Sequence, residues 1–319
     1  MEHAPVADTW ALVLAGGDGT RLRELTALLA GEPIPKQYCR ITGDRSMLEA
    51  TLARIAPLAT PERTLVVVNR NHLTLAAQQL QAVPPANVLV QPCNRDTGPG
   101  ILWSLLALER RSPGSHVAIF PSDHYVANDA AFRGCVRRAA SVVEEFPDKL
   151  VLLGIEPDHA APGYGYVVPS GPLTLGDRAP AYHVETFREK PDRALARRIL
   201  RRGALWNSLV MVFRTARMLE LIAAIRPESH RELAEVGEDA SALEHLYASV
   251  APWNFSSDFL AHVPHEMVVL RAEDTGWSDW GTRQSIERTF AALKQPLPWQ
   301  GVAAPAALRR ARALRRPAA

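Results

Sequence analysis

The chain has 319 residues, of which 47% are hydrophobic and 22% charged, and its net charge is +2 at neutral pH. This composition is typical of a folded globular protein, and it gives no strong positive field for binding nucleic acid. No apolar run approaches the roughly 18 residues of a membrane span. The N-terminal segment lacks the features of a secretory signal, and the three cysteines are scattered and odd in number, which favours reduced thiols in the cytoplasm.

Short apolar runs alternate with segments of helical spacing along the first half of the chain. The pattern predicts strands at 10–15, 64–68, 87–90, 116–120 and 149–153, and helices at 46–55, 73–80, 100–108 and 130–146. Such alternation is typical of an open α/β sheet whose parallel strands are covered by helices on both faces. Ligands bind beyond the carboxyl ends of such strands, so we expect the chemistry in the loops at 16–21, 91–99 and 121–125.

The rhythm changes after residue 154. Alternating segments predict strands at 164–168, 182–190 and 206–213, and helical spacing predicts helices at 192–202, 218–225, 228–250 and 282–293. We interpret the second half as added strands and helices that complete the same sheet and cover the pocket. One domain is therefore expected over residues 1–294, followed by a tail rich in Pro, Ala and Arg over residues 295–319.

The first predicted strand runs into a loop with three glycines, in the segment Leu-Ala-Gly-Gly-Asp-Gly-Thr-Arg-Leu at 14–22. Glycines let the backbone approach a ligand closely, and Arg21 offers a planar fork for phosphate. The loop is not a dinucleotide fingerprint, because Leu22 replaces the third glycine, and it lacks the Gly-Lys-Ser/Thr of a P-loop. A plain tight turn is the structural alternative. Shortly afterwards, two prolines stiffen the segment that presents Lys36, which we expect to contact phosphate.

Together with Pro-Lys-Gln at 35–37, this loop resembles the signature of the sugar-phosphate nucleotidyltransferases, and the Pro-Lys-Gln ending is similar to their mannose-1-phosphate guanylyltransferase branch. The resemblance implies a Rossmann-like, mostly parallel α/β sheet with helices on both faces, of the nucleotide-diphospho-sugar transferase type. Further segments match this family in order along the chain: Gln91-Pro-x-x-Arg95-Asp-Thr97-x-Pro99, Pro121-Ser-Asp123-His124, Gly163-Tyr-Gly165-Tyr166, Phe187-Arg-Glu189-Lys190-Pro191, Trp206-Asn207-Ser208 and Trp277-Ser-Asp279-Trp-Gly281.

The resemblance also implies an activity, the transfer of GMP from GTP to α-D-mannose 1-phosphate with Mg²⁺ as cofactor, giving GDP-mannose and pyrophosphate. Two anions must meet, so cationic groups and a metal ion are needed to offset their repulsion. The implied catalytic residues are Arg21, Lys36 and Asp123, and the implied metal ligands are Asp123 and Asp279. The implied nucleotide-binding residues are Leu14, Ala15, Gly16, Gly17, Gly19, Thr20, Arg21, Gln91, Arg95 and Thr97. The implied sugar-phosphate-binding residues are Gly165, Glu189, Lys190 and Asn207.

Several of these assignments have a structural alternative. Asp123 could form an Asx-turn, and Asp279 could cap the helix predicted at 282–293. Glu189 and Lys190 could be a solvated strand end. His124 follows the proposed metal ligand, and a structural role is open for it.

Three segments depart from the family pattern. Leu209 stands where Trp-Asn-Ser is usually followed by glycine. Strand alternation places it on the same face as Asn207, where it would narrow the sugar site; the alternative is that it points into the core and packs there. Gln91 replaces a more usual glutamate, and Thr-Gly-Pro-Gly at 97–100 replaces Thr-Ala-Pro-Ala. Glu-Leu at 24–25 replaces a Pro-Leu pair.

Two other functions stay open. The same reaction could join UTP, dTTP or CTP to glucose 1-phosphate or a heptose phosphate, and a non-catalytic module could bind a nucleotide-sugar without turnover. The second is disfavoured by the complete set of charged residues, Arg21, Lys36, Asp123, Lys190 and Asp279. The expected partners are small-molecule substrates, with neither nucleic acid nor a membrane involved, and a homo-oligomer is left open.

Overall fold

Nine strands form one sheet in the computed structural model, which describes residues 9–173, 180–237 and 239–301. Their order across the sheet is β3-β2-β1-β4-β8-β5-β9-β7-β6. The strands are β1 (Thr9–Ala15), β2 (Thr64–Asn69), β3 (Val88–Gln91), β4 (His116–Pro121), β5 (Leu150–Ile155), β6 (Gly165–Leu173), β7 (Ala181–Glu189), β8 (Leu205–Arg214) and β9 (Met267–Arg271). The arginines of the predicted tail lie outside the described residues, so the domain boundary at 294 stays a prediction.

The sheet joins a parallel half to a largely antiparallel half. β1 pairs in parallel with β2 and β4, and β2 with β3, so the carboxyl ends of the first four strands share one edge. β8 then runs antiparallel between β4 and β5. β6 and β7 extend the sheet through antiparallel pairs, while β5 and β9 are parallel. The predicted α/β class is confirmed, with parallel pairing in the first half and a mixed sheet as a whole.

Helices cover both faces of this sheet. Alternate residues of β1 separate the faces: Ala11 and Val13 belong to the core that includes α2 and α5, and Leu12 belongs to the core that includes α4 and α7. None of the described helices is both long and apolar enough to cross a bilayer. The α-helices of the described ranges are α1 (Arg23–Ala30), α2 (Met47–Ile55), α3 (Leu73–Gln79), α4 (Thr97–Arg111), α5 (Asp129–Glu145), α6 (Arg193–Leu200), α7 (Thr215–Ile225), α8 (Pro227–Val236), α9 (Ala240–Ser249), α10 (Phe255–Asp258) and α11 (Arg283–Ala292).

Side-chain caps set the starts of the helices that border the site. Ser46 begins α2 with a capping box, in which its hydroxyl accepts from the main-chain N–H of Glu49 and the Glu49 carboxylate accepts from the main-chain N–H of Ser46. Thr282 caps α11 through Ser285 with the same reciprocal pattern. The alternative that Asp279 caps this helix is therefore wrong, and the Asp279 carboxylate is left for another role.

The structure differs from the predicted elements in two respects. The helix predicted over 228–250 is two helices, α8 and α9, and the first ends at Val236, before Gly237, where φ is +61°. The sequence pattern also does not reveal α1, α10 or β9. A five-residue apolar run such as β9 fits a strand and a buried helix equally well.

A third hydrophobic cluster ties the start of the chain to its later part. Leu22 and Leu25, at the start of α1, pack with Trp280 and with Phe290 of α11. The indole of Trp280 also stacks on Tyr125 at a ring-centroid distance of 4.5 Å. Because offset aromatic stacking adds about 0.5–1.5 kcal/mol beyond burial, this cluster holds the segment 277–281 firmly beside the glycine loop.

Candidate active site

A cleft of about 320 Å³ opens at the carboxyl ends of β1, β3 and β4, within the usual size range of small-molecule sites. This is the edge at which the parallel strands of an α/β sheet present their loops. Segments from both halves of the chain meet here. The sequence-predicted residues that line the cleft are Leu14, Gly16, Gly17, Gly19, Arg21, Gln91, Thr97, Asp123, Gly165, Glu189, Lys190, Asn207 and Asp279.

Three residues predicted to bind nucleotide lie outside this lining. Ala15 is fully buried in β1, and Thr20 is exposed on the loop. Arg95 donates to the main-chain carbonyls of Tyr247 at 2.7 Å and Ala248 at 2.8 Å. The guanidinium of Arg95 therefore fastens the loop after β3 to α9.

The segment that follows the glycine loop along the chain braces it. The Gln37 amide donates to the carbonyls of Ala15 at 3.0 Å and Gly17 at 2.7 Å. Gly19 takes a φ of +58°, and a side chain there would come within 2.8 Å of the main-chain nitrogen of Lys36. The Pro-Lys-Gln segment thus shapes the loop through Gln37, a role that spacing alone does not reveal.

The loop after β3 is held by a network of polar contacts. Asp96 has φ 66° and ψ −171°, a conformation that is costly for any residue with a side chain. Its carboxylate caps α4 by accepting from the main-chain N–H of Thr97 at 2.6 Å, and it accepts from the Asn254 amide at 3.0 Å. The Thr97 hydroxyl accepts from the main-chain N–H of Phe255 at 2.9 Å. These bonds fix the loop that the sequence analysis predicts to bind the nucleotide base.

The two predicted metal ligands, Asp123 and Asp279, are joined through Lys36. The Lys36 Nζ lies 3.1 Å from Asp123 Oδ2 and donates to the carbonyls of Asp279 at 2.6 Å and Trp280 at 3.0 Å. An ammonium has three donors, so all three are used within the protein. With a side chain only 5% exposed, Lys36 is a buried bridge between the loop after β4 and the segment 277–281.

The carboxylate of Asp279 borders the cleft between two side chains. Its Oδ1 accepts from the hydroxyl of Tyr164 at 2.7 Å, and the Tyr164 ring stacks on Trp206 at 4.4 Å. Burial raises the pKa of Tyr164 and the Asp279 carboxylate raises it further, so the hydroxyl remains a donor. Oδ2 of Asp279 lies near Gly281, and the guanidinium of Arg21 lies near the same glycine.

Asp123 is ionised beside a neutral histidine. Burial raises the pKa of Asp123, but nearby groups, chiefly Lys36 with Arg21 among the others, outweigh burial, so the pKa lies below its ordinary value. The Trp277 indole donates to Nδ1 of His124 at 3.3 Å, which leaves the ring proton on Nε2, 3.7 Å from Asp123 Oδ1. Burial lowers the pKa of His124, so its imidazole is neutral. The hydrogen bond from Trp277 orients the ring.

The second half of the chain supplies the opposite wall. Glu189 ends β7 opposite Gly165 of β6, and its carboxylate lies 3.3 Å from Lys190 Nζ. Burial raises the pKa of Glu189, and Lys190 offsets this only in part. Lys190 has a φ of +43° and a side chain that is 58% exposed. Its ammonium therefore borders both Glu189 and the open cleft.

A family model described as nucleotidyl transferase matches residues 10–295. The chain belongs to the nucleotidyl transferase family. The match covers every segment that lines the cleft, from the glycine loop to the segment 277–281. The family that the sequence motifs indicate is thus confirmed.

Two curated relatives and one solved structure show which members of the family this chain is similar to. The xanthan biosynthesis protein XanB of Xanthomonas campestris pv. campestris (strain B100) is 34% identical over 290 residues, and the mannose-1-phosphate guanylyltransferase of Escherichia coli (strain K12) is 32% identical over 288 residues. These alignments cover 88% and 87% of this chain but only 59% of each relative. A structure described as mannose-1-phosphate geranyltransferase from Thermus thermophilus has a TM-score of 0.78 at 32% identity, covering 89% of this chain and 79% of that one.

In this nucleotidyl transferase Leu209 lines the cleft, although strand alternation is not the reason. The register of β8 against β5 shifts between Leu152 and Gly154, so residues 208–210 bulge. Leu209 takes a φ of +55°, which favours glycine and explains the glycine of the family pattern. Its main-chain N–H donates to Oδ1 of Asn207 at 2.8 Å, so this turn orients the Asn207 amide at the cleft.

Sequence reasoning missed one segment of this nucleotidyl transferase's cleft. Asn254 and Ser256 line it from the start of α10. The Ser256 hydroxyl accepts from the Asn207 amide at 3.4 Å, and Asn254 donates to Asp96. The segment therefore joins the wall bearing Glu189 to the loop after β3. The sequence signal available here is Asn254 as a helix cap, which predicts a helix start and not a site.

Proposed function

We propose that this nucleotidyl transferase transfers GMP from GTP to α-D-mannose 1-phosphate, forming GDP-mannose and pyrophosphate. One observation carries the proposal: Asp123 and Asp279 line one cleft, together with a glycine loop that bears Arg21 and a wall that bears Glu189 and Lys190. The loop side suits a triphosphate, and the opposite wall suits a sugar phosphate. The choice of GTP and mannose follows the names of relatives that are about one third identical to this chain.

The reaction requires positioning more than covalent chemistry. An oxygen of the sugar phosphate attacks the α-phosphorus in line with the leaving pyrophosphate, so one P–O bond forms as another breaks. In this proposal, main-chain N–H groups at 16–19 and the guanidinium of Arg21 bind the triphosphate. Lys190 binds the phosphate of the sugar, and Glu189 and Asn207 hydrogen-bond to its hydroxyls. Each group lowers the barrier by holding the two anions together.

Asp123 and Asp279 are the residues that would hold Mg²⁺. This ion binds proteins through one or two carboxylates and completes its shell with water and substrate phosphates, and the two-carboxylate set fits that pattern. The ammonium of Lys36 contacts the Asp123 carboxylate and the main-chain carbonyl of Asp279, and this cation beside both segments supports the proposal. When bound, the metal ion supplies charge neutralisation at the phosphates.

We assign Lys36 a positioning role in place of the phosphate contact that the sequence predicts. Its three N–H donors are taken up by Asp123 and by the carbonyls of Asp279 and Trp280, which leaves none for a ligand. By fixing the loop after β4 to the segment 277–281, it sets the spacing of the two carboxylates. Lys190, which is mostly exposed, is then the lysine that meets substrate.

We place the reaction in the cytoplasm, with GTP and mannose 1-phosphate as its substrates. Cys39, Cys93 and Cys135 are free thiols, which fits a reducing compartment. A homo-oligomer stays a prediction.

The proposal is tested by pyrophosphate release over a panel of nucleotides and sugar phosphates with Mg²⁺. We expect GTP with mannose 1-phosphate to give the highest kcat/KM of the panel. Faster release with UTP, dTTP or CTP and another sugar phosphate would reassign the substrates while keeping the reaction. If both substrates bind and no pair releases pyrophosphate, the chain is a binding module and the proposal fails.

A further inference from the structure

Tyr164 lines the cleft and contacts two parts of the proposed site. Its hydroxyl donates to Oδ1 of Asp279 at 2.7 Å, and its main-chain carbonyl accepts from the N–H of Lys190 at 3.1 Å. A proposed metal ligand and the lysine assigned to the sugar phosphate are therefore bonded to the same residue. The two bonds use different groups of Tyr164, so the hydroxyl can be removed while the bond to Lys190 is kept.

The ring of Tyr164 is held by its surroundings. It stacks on the indole of Trp206 with a ring-centroid distance of 4.4 Å and an interplanar angle of 13°, and it lies 6.2 Å from the ring of Trp277. In β6, the hydroxyl of Tyr166 donates to the carbonyl of Ala161 at 3.0 Å and accepts from its N–H at 2.8 Å. Because the ring and the loop before β6 are both fixed, the Tyr164 hydroxyl meets the carboxylate from one direction.

The carboxylate of Asp279 is confined at both oxygens. Oδ1 accepts the bond from Tyr164, and Oδ2 occupies space that Gly281 leaves open, since a side-chain carbon there would lie 2.4 Å from it. Asp123 is held through the ion pair of its carboxylate with Lys36, whereas Lys36 contacts Asp279 at the main-chain carbonyl. Rotating the Asp279 carboxylate would break the bond from Tyr164, so its orientation depends on that hydroxyl.

We propose that Tyr164 is a positioning residue, which orients the Asp279 carboxylate toward the metal ion and fixes its place relative to Lys190. The inference rests on the proposed function, in which Asp279 is a metal ligand. A hydrogen bond from outside the coordination shell orients a ligand, and its loss typically lowers metal affinity or activity by about 10- to 100-fold. Tyr164 thus acts through Asp279 and not through a bond to substrate.

Tyr164→Phe tests the inference, because it removes the hydroxyl and keeps the ring that stacks on Trp206. Mn²⁺ shares the preference of Mg²⁺ for carboxylate and water ligands, and electron paramagnetic resonance measures its binding to the full chain without substrates. We expect the variant to bind Mn²⁺ about tenfold more weakly and to lose about tenfold in kcat with Mg²⁺. KM for mannose 1-phosphate should change by less than about twofold, since the main-chain bond to Lys190 is kept.

The matched control is Tyr166→Phe, which removes a buried hydroxyl two residues along the chain. It should lower the free energy of unfolding and leave the affinity for Mn²⁺ unchanged. A double substitution shows whether Tyr164 acts through Asp279. If it does, adding Tyr164→Phe to Asp279→Asn should lower kcat by less than about twofold further, because residues that act as one unit are not additive.

Three results would overturn the inference. They are natural Mn²⁺ affinity in Tyr164→Phe, an equal loss of affinity in Tyr166→Phe, and the same loss of kcat whether or not Asp279 is present. The last result would place Tyr164 on the substrate itself. The proposed function can fail separately: if Tyr164→Phe weakens Mn²⁺ as expected but GTP and mannose 1-phosphate do not react, the inference stands and the substrates are wrong. Failure of the natural chain to bind Mn²⁺ would overturn the inference as well.

Discussion

The two walls of the cleft are built on different principles. The glycine-loop wall consists of loops after parallel strands, held to the main chain by side chains such as Gln37 and Arg95. The opposite wall consists of largely antiparallel strands whose backbone leaves regular geometry at Lys190 and Leu209, where φ is positive. The first wall is a braced frame for a triphosphate, whereas the second places its contacts at strained residues. Substitutions on the opposite wall should therefore change which sugar phosphate is accepted without loss of nucleotide binding.

The largest effect is expected at the junction of the walls. Asp279→Asn keeps an acceptor for the Tyr164 hydroxyl but removes the charge, and Asp123→Asn removes the other carboxylate. Each should lower kcat by about 1,000-fold, since a metal ligand contributes several kcal/mol to the transition state. Pyrophosphate release measures the activity of each variant, and urea unfolding measures its stability. Asp44→Asn, at an exposed turn, is the control. Near-normal turnover at limiting Mg²⁺ would exclude that residue as a ligand.

The next effect tests whether the glycine-loop wall is a braced frame. Lys36→Met should lower the free energy of unfolding by about 2–3 kcal/mol and depress kcat as well, because hydrogen bonds from a buried charge are lost. Denaturant titration measures the stability, and Lys190→Met, at an exposed lysine, should leave it unchanged. If Lys36→Met loses activity at full stability, Lys36 contacts phosphate and the bridge is unimportant.

A smaller and selective effect is expected on the opposite wall. Lys190→Ala should weaken mannose 1-phosphate binding by about tenfold and spare GTP, as expected for one charge-assisted hydrogen bond. Separate calorimetric titrations of the two ligands give this result more cleanly than KM. Arg193→Ala, which removes an exposed charge three residues along the chain, is the matched control. Equal losses toward both ligands would contradict the division into two walls.

Only a small change in stability is expected at Leu209. Leu209→Gly relieves a left-handed conformation that costs about 1–2 kcal/mol, but it also removes packing and loosens the unfolded chain, so the net change should stay within about 1 kcal/mol. The variant should accept a broader set of sugar phosphates at unchanged GTP affinity. Activity with a panel of epimeric sugar phosphates tests the first expectation, and a thermal melting curve tests the stability. Lower thermal stability with the same sugar profile would leave Leu209 as a core residue.

The glycine-loop wall was the more predictable from the sequence. Its strands are continuous apolar runs buried on both faces, and parallel strands place their loops at one edge, so Gly16, Gln91 and Asp123 could be expected together. The direction in which a side chain points, and therefore its partners, could not be predicted. Lys36 is a cation predicted to contact phosphate, and Arg95 is a cation predicted to bind the nucleotide, yet both bind main-chain carbonyls.

The opposite wall shows why the rest of the site escaped prediction. Leu209 reaches the cleft through a bulge, which no alternation rule anticipates. Asn254 and Ser256 lie at the start of α10, more than 40 residues beyond Asn207, and their place depends on long-range packing. A cap signal at Asn254 identifies a helix start, but contacts with Asp96 and Asn207 arise only in the folded chain.

Phosphorus NMR of the full chain with GTP, mannose 1-phosphate and Mg²⁺ tests the central claim most directly. If the two walls hold both substrates for one displacement, GDP-mannose and pyrophosphate should appear in equal amounts, and the signals should be absent with Asp279→Asn. Release of GDP and inorganic phosphate in their place, or unchanged GTP under conditions where calorimetry shows both substrates bound, would contradict the account.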